Sequence, residues 1–258
     1  MKAPLTEAGM QGTVGAARDR GFGATGRRDA WWAEPFVVAV TLGLFGVYAT
    51  WAALAGDNYR AGPYLSPFYS PLILVDWWPF SPAILILGAP LGFRVTCYYY
   101  RKAYYRAYFL HPPACAVGEG HHGRYCGETT FPLVLQNLHR YFVYPALLLL
   151  VFLWTDVVHA FRFEDGLGVG VGTLVLFANT VLLTGYTLSC HSLRHIVGGR
   201  LDRRAGPLAS ACFTAWQGVS RLNAKHMAWA WASLVSVGLA DLYVRLVASG
   251  AIRDVRLL

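Results

Sequence analysis

The chain has 258 residues, a formal net charge of +8, 55% hydrophobic residues and only 14% charged ones. A soluble domain carries about 25% charge, and here the charge is clustered, leaving long stretches almost free of it. That balance excludes a separate soluble domain and gives no reason to invoke nucleic acid. It describes one helical membrane unit with short loops.

A bilayer core needs roughly 20 apolar residues per helix. Five segments meet or approach that length: 36–55, 82–100, 141–160, 168–190 and 227–248. Residues 1–34 precede them with five basic residues and no apolar run of the kind a cleavable signal needs. We read 1–34 as a flexible basic tail and 35–258 as the membrane domain. The first helix starts after Pro35 and ends at Gly56. The loop GPYLSPFYSPLILVDWWPF follows, with Trp77 and Trp78 suited to an interfacial aromatic belt. The second helix begins near Pro82, is expected to kink at Pro90, and continues past the membrane through CYYYRKAYYRAYF. An irregular loop, HPPACAVGEGHHGRYCGETTFP, comes next. The third helix begins near Leu133, carries Pro145 and holds His139 at its mouth. The fourth is rich in glycine at its start, GLGVGVGTL, which permits close packing, and leaves the membrane at SCHSLRHIVGGRL. A basic loop over 199–222 contains Trp216. The fifth helix enters at NAKHMAWAWASL and leaves near Val247. The expected fold is all-α, a membrane-embedded bundle of five transmembrane helices.

Basic residues number 5 in 1–34, 1 in 56–80, 6 in 94–140, 1 in 156–167, 6 in 194–225 and 3 in 245–258. An alternating topology therefore places 17 on one side and 5 on the other. The positive-inside rule puts the N-terminus in the cytoplasm and the C-terminus outside. All five cysteines fall in or beside the cytoplasmic half, where thiols stay reduced, so a disulfide framework is not expected.

Seven residues able to bind metal gather at the cytoplasmic side: Cys97, Cys115, His139, Cys190, His191, His195 and His226. His191 and His195 are one helical turn apart and share a face. His139 and His226 each lie just inside a helix start, and ionisable groups within spans are functional hypotheses by default. Cys97, taken alone, reads as a small apolar residue, but it matches the others in depth. Cys126, Cys212, His111, His121 and His122 look incidental, and His159 lies on the opposite side. Two imidazoles from facing helices suit a haem b. Two cysteines with two histidines suit a Rieske-type [2Fe–2S] cluster, although no Rieske C-x-H loop is present. Zinc accepts the same donors but has no evident use inside a membrane. Such a group of ligands reads as an electron carrier. A transporter would place its polar groups near the midplane, which here is apolar.

The segments TCYYYRKAYYRAYFLHPPACAVG, GETTFPLVLQNLHRYF, YTLSCHSLRHIVGGR and SRLNAKHMAWAWASL…ADLYVRL resemble the single-chain membrane anchor (SdhC-type) of bacterial succinate dehydrogenases, over residues 80–250 or so. The resemblance implies a multi-pass anchor in the cell inner (cytoplasmic) membrane that docks a flavoprotein subunit and an iron–sulfur subunit and passes electrons to quinone. It implies respiratory complex II, with membrane lipids around the anchor, and it leaves a homotrimer of complexes open. Haem b is common in such anchors, and some look equipped for an intramembrane [2Fe–2S] centre. Here the fourth-helix motif, SCHSLRH, holds one cysteine. The chain has no dicarboxylate or flavin motif, so it carries no catalytic residue for succinate itself. Tyr98, Tyr99, Ser189, Trp216, Ser220 and Arg221 could supply donors to a quinone ring. Arg101, Lys102, Arg106, Arg200, Arg203 and Arg204 form the expected docking surface. The competing readings are a standalone membrane cytochrome b, an anchor for another dehydrogenase, a small transporter and a structural membrane protein.

Overall fold

The structure is a computed structural model that describes residues 21–119, 128–199 and 206–258. It is helical, with two small antiparallel hairpins. In chain order the elements are α1 (Ala33–Ala55), β1 (Arg60–Ala61), β2 (Tyr64–Leu65), α2 (Ala83–Val95) and α3 (Tyr98–Tyr104). There follow α4 (His139–His159), β3 (Arg162–Phe163), β4 (Gly166–Leu167), α5 (Val171–Leu188), α6 (His191–Gly198), α7 (Pro207–Asn223) and α8 (His226–Ala248). Among the described residues four helices are long and apolar enough to cross a membrane: α1, the run Leu133–His159 ending in α4, α5 and α8. A fifth span exists if α2 and the segment Tyr98–Phe109 count as one interrupted crossing. The expected all-α membrane bundle is therefore what the chain forms.

Three local departures from the sequence reading matter. The second helix continues through Pro90 and stops at Val95, so the interruption comes at Thr96–Cys97. The fourth helix stops at Leu188, and His191 to His195 belong to a new helix. Cys190 between them is extended, at φ −62° and ψ 134°. Cys97 has nearly the same conformation, φ −62° and ψ 127°, and likewise precedes a helix. Finally, 207–223 is a helix, α7, where a loop was expected.

The chain divides into two compact units. The first comprises residues 1–44 and 96–136. In it, the stretch before α1 is tied to the 115–118 loop by Gly23 N–H donating to the Gly118 carbonyl at 3.0 Å and Thr25 Oγ1 donating to the Ala116 carbonyl at 2.8 Å. Tyr108 Oη donates to the Ala39 carbonyl at 2.8 Å, and Gln136 Nε2 to Tyr104 Oη at 3.1 Å.

The second unit comprises 45–95 and 137–258. Its helices pack α5 on α8 and on α4, α2 on α4, and α6 on α7. Close approach of α5 and α8 depends on Gly185. A Cβ there would lie 2.5 Å from Trp229 Cε3, so any larger residue must displace the indole. The glycines at the start of α5 serve differently from expectation. Gly172 lies under the Tyr64 ring and Gly168 against Arg256 and Leu258, so a returning tail and a loop cover them. Asp254 holds that tail, accepting from Tyr64 Oη at 2.6 Å, Tyr243 Oη at 2.5 Å and the Gly172 amide at 2.9 Å. Burial and the carboxylate beside it push the Tyr64 phenol up to about 12.

At the far end of α8 a buried polar network joins three segments. Asp241 is fully buried. It accepts from Tyr48 Oη at 2.5 Å, from Ser66 Oγ, and from Arg245 Nε at 2.9 Å. The same guanidinium donates to the carbonyls of Ala52 at 2.6 Å and Asp57 at 2.9 Å. A buried ion pair is tolerable only when its remaining donors and acceptors are satisfied, and these are.

Candidate functional site

The N-terminus of α4, the C-terminus of α5 and the start of α8 meet at one end of the second unit. His139 opens α4, and its Nε2 lies 3.2 Å from the Sγ of Cys190. Cys190 is buried, at 1% exposure. Its extended backbone makes it the N-cap of α6, and its side chain does not cap that helix.

An aromatic row links this pair to the second buried imidazole. His139 stacks on Phe93 with centroids 4.7 Å apart and planes 8° from parallel. Phe93 meets Tyr186 at 5.4 Å, and Tyr186 stacks on His226 at 5.3 Å. His226 Nδ1 lies 2.7 Å from Ser189 Oγ, whose hydroxyl donates to the Tyr186 carbonyl at 2.9 Å. With the hydroxyl proton so used, we assign the imidazole proton to Nδ1. That leaves Nε2 as the nitrogen with a lone pair, as a ligand requires. Arg94 completes the group. Its guanidinium lies 4.7 Å from the Tyr186 ring centroid and donates to Ser233 Oγ at 3.1 Å.

The remaining expected residues are distributed as follows. His191 and His195 are exposed and face one another on α6, Nε2 to Nε2 at 3.0 Å. Partial burial, with His195 and Arg194 beside it, pushes the His191 imidazole below its ordinary value. Cys97 is buried and caps α3 in the first unit, whereas Cys115 is exposed. Tyr98 is exposed beneath the Arg101 guanidinium at 4.6 Å, and Tyr99 meets Tyr100 at 5.8 Å. Ser189 is buried and engaged with His226. Trp216 and Ser220 both receive Arg194, the ring centroid at 5.1 Å and the hydroxyl at 2.9 Å. Arg221 is exposed. Arg101 departs from the expected docking surface, being buried and ion-paired with Glu128. Lys102 is exposed and Arg106 half-buried. Arg200, Arg203 and Arg204 lie outside the described residues, as do Cys126, His121 and His122.

Sequence reasoning did not single out Phe93, Tyr186 or Arg94 as site residues. The first two carry no signal in an aromatic-rich chain. Arg94 did, as a charge at the end of an apolar run. These three also line one end of a cavity of about 560 Å³ between α1 from Phe45 onward, α2, α4 and α5. That volume falls in the range of small-molecule pockets.

The donor set at Cys190, His139 and His226 suits a soft or borderline metal centre. Cys190 and His139, 3.2 Å apart, would bring a thiolate and an imidazole to one such centre. Among the described residues no three His, Cys, Asp or Glu side chains converge on one ion.

Comparison with known proteins adds an independent line. Residues 33–250 match the family model described as the actinobacterial succinate dehydrogenase subunit SdhC. Among solved structures, a chain of the Mycobacterium smegmatis Sdh1 complex in the apo form superposes with a TM-score of 0.80 at 43% identity. The alignment covers 91% of this chain and 94% of that one. No match was found among curated proteins.

Proposed function

This chain belongs to the actinobacterial SdhC family and is the membrane anchor subunit of a succinate dehydrogenase, and on that premise we propose that it relays electrons to quinone through a buried metal centre. The observation that carries the proposal is the Cys190–His139 contact, a thiol and an imidazole 3.2 Å apart at the meeting of three helix ends. In this reading the flavoprotein and iron–sulfur subunits dock on the cytoplasmic face of the inner membrane. The N-terminus is cytoplasmic and the C-terminus outside, a reading supported by the 17-to-5 distribution of basic residues. Lys102 and Arg106, with Arg200, Arg203 and Arg204, supply the docking charge. Residues 1–34 serve as a basic tail to the anchor domain.

A Rieske-type [2Fe–2S] cluster needs two thiolates and two imidazoles. Cys190, His139 and His226 are the proposed ligands. Cys97 and Cys115 are the other thiolate candidates from the sequence. Bound there, such a centre supplies one-electron relay between the soluble subunits and quinone. Haem b, held by histidines alone, is the alternative. The protein's own contribution is orientation and dryness. Ser189 fixes the His226 tautomer, and Phe93 and Tyr186 shield the two imidazoles from water. Trp216, Ser220 and Arg221 would offer donors to a quinone ring near the interface, whereas the Ser189 hydroxyl is committed to the Tyr186 carbonyl.

The test is to purify the complex with Cys190→Ser and, separately, with His226→Ala, and to assay iron and acid-labile sulfide. Each variant is expected to lose the iron and sulfide that exceed the soluble subunits' own, together with any Rieske-like EPR signal. Unchanged contents in both assembled variants remove these residues from the site. A parent complex with no iron beyond its soluble clusters ends the proposal. A sharp ferrous haem band would replace the cluster with a cytochrome.

A further inference from the structure

We propose that the facing imidazoles of His191 and His195 form a second, surface-exposed chelate for a divalent transition-metal ion, copper(II) or nickel(II) in preference to zinc. The two residues are exposed on α6, one turn apart, and their Nε2 atoms lie 3.0 Å from each other. The rings meet edge to face, at 81° with centroids 4.5 Å apart. Residues four apart on a helix share a face, so the helix itself supplies the spacing.

The separation is compatible with two neighbouring ligands on one ion. With metal–nitrogen bonds of about 2.0–2.1 Å, a right-angled pair of ligands sits about 2.9 Å apart and a tetrahedral pair about 3.4 Å apart. The observed 3.0 Å is close to the right-angled value, which belongs to square-planar and octahedral ions. Copper(II) and nickel(II) take such geometries with imidazole, and copper(II) binds most tightly of the divalent series. Zinc would require the two exposed rings to spread.

Arg194, between the two histidines in sequence, has partners of its own, its Nε donating to Ser220 Oγ at 2.9 Å and its guanidinium covering Trp216. The exposed pair is also separate from the buried donors. Cys190 adjoins His191 in the chain, but its sulfur faces His139. Two protein ligands leave the other coordination positions to water. The inference is therefore independent of the electron-relay reading.

A bare N–H···N hydrogen bond between neutral imidazoles would produce the same spacing, and the experiment separates the two. The detergent-solubilised complex, purified without a polyhistidine tag and stripped with EDTA, is titrated with copper(II) chloride or nickel(II) chloride in a calorimeter. The expected result is a binding event of one ion per anchor chain that disappears in both His191→Ala and His195→Ala. The copper(II) EPR spectrum should show coupling to two equatorial nitrogens in the parent and not in either variant. Both substitutions are at positions exposed in this chain, and assembly of each variant is checked by retention of the soluble subunits. An identical metal stoichiometry in parent and both variants overturns the proposal, as does a copper spectrum without two nitrogen couplings.

Discussion

The two ends of α8 use opposite chemistry. The helix begins at His226 and reaches Arg245 nineteen residues later, about 28 Å along its axis. At the Arg245 end the groups are hard charges, a carboxylate and a guanidinium saturated by hydroxyls and carbonyls. At the His226 end they are imidazoles, a thiol and aromatic rings, with one guanidinium, Arg94, set against Tyr186 and Ser233. Saturated charges fix position and leave nothing for a ligand. Imidazole and thiol can be neutral, are cheap to bury, and can turn to a metal. The difference teaches that polarity inside a span is not one signal. A closed ion pair marks architecture, and a soft, uncharged group marks chemistry.

That contrast can be broken by substitution. Asp241→Leu strands the buried Arg245 guanidinium and should cost about 3–5 kcal/mol. Thermal unfolding of the purified complex measures it, and adding Arg245→Met should recover much of the loss. A double variant no more stable than Asp241→Leu would show that the pair does more than neutralise itself. Gly185→Ala should be next, at about 1–3 kcal/mol of overpacking against Trp229. It shows that stability near the histidine end comes from packing, whereas Cys190→Ser should alter iron content with little change in unfolding temperature. Tyr48→Phe should be the smallest, about 1.5 kcal/mol for one hydrogen bond to a charged acceptor, since Asp241 keeps its other partners. A larger loss than Asp241→Leu would reverse the ranking and make the tyrosine the keystone.

Much of this was legible in the sequence because hydropathy is nearly a one-dimensional signal. The segments 36–55 and 227–248 differ from α1 and α8 by only a few residues at their ends. The helix interruptions were not legible. The fourth helix was read as continuous through SCHSLRH, and its break at Ser189–Cys190 turns Cys190 inward while His191 and His195 face out. A residue-type pattern grouped seven ligands by depth, but depth says nothing of which side a short helix presents. α7 was missed although it carries Pro207 at its first turn, where proline suits a helix, and Cys212, Trp216 and Val219 at helical spacing. Its polar content outweighed that period. Asp241 and Arg245 were not singled out in the sequence, although two intramembrane charges spaced four apart are a cue to a self-contained pair.

The spacing of the Arg245 network also sets a schedule for making the protein. Tyr48 and Asp241 are 193 residues apart in the chain, so at ordinary synthesis rates about 10–40 s pass between their emergence. Throughout that interval α1 occupies the bilayer with a phenol whose carboxylate has not yet been made. A hydroxyl can wait in that setting, where a charge could not. The two charges enter later, on one helix and already facing one another, so neither has to cross the lipid alone. The insertion order therefore gives the early helix the uncharged half of the contact and the late helix both charged partners at once.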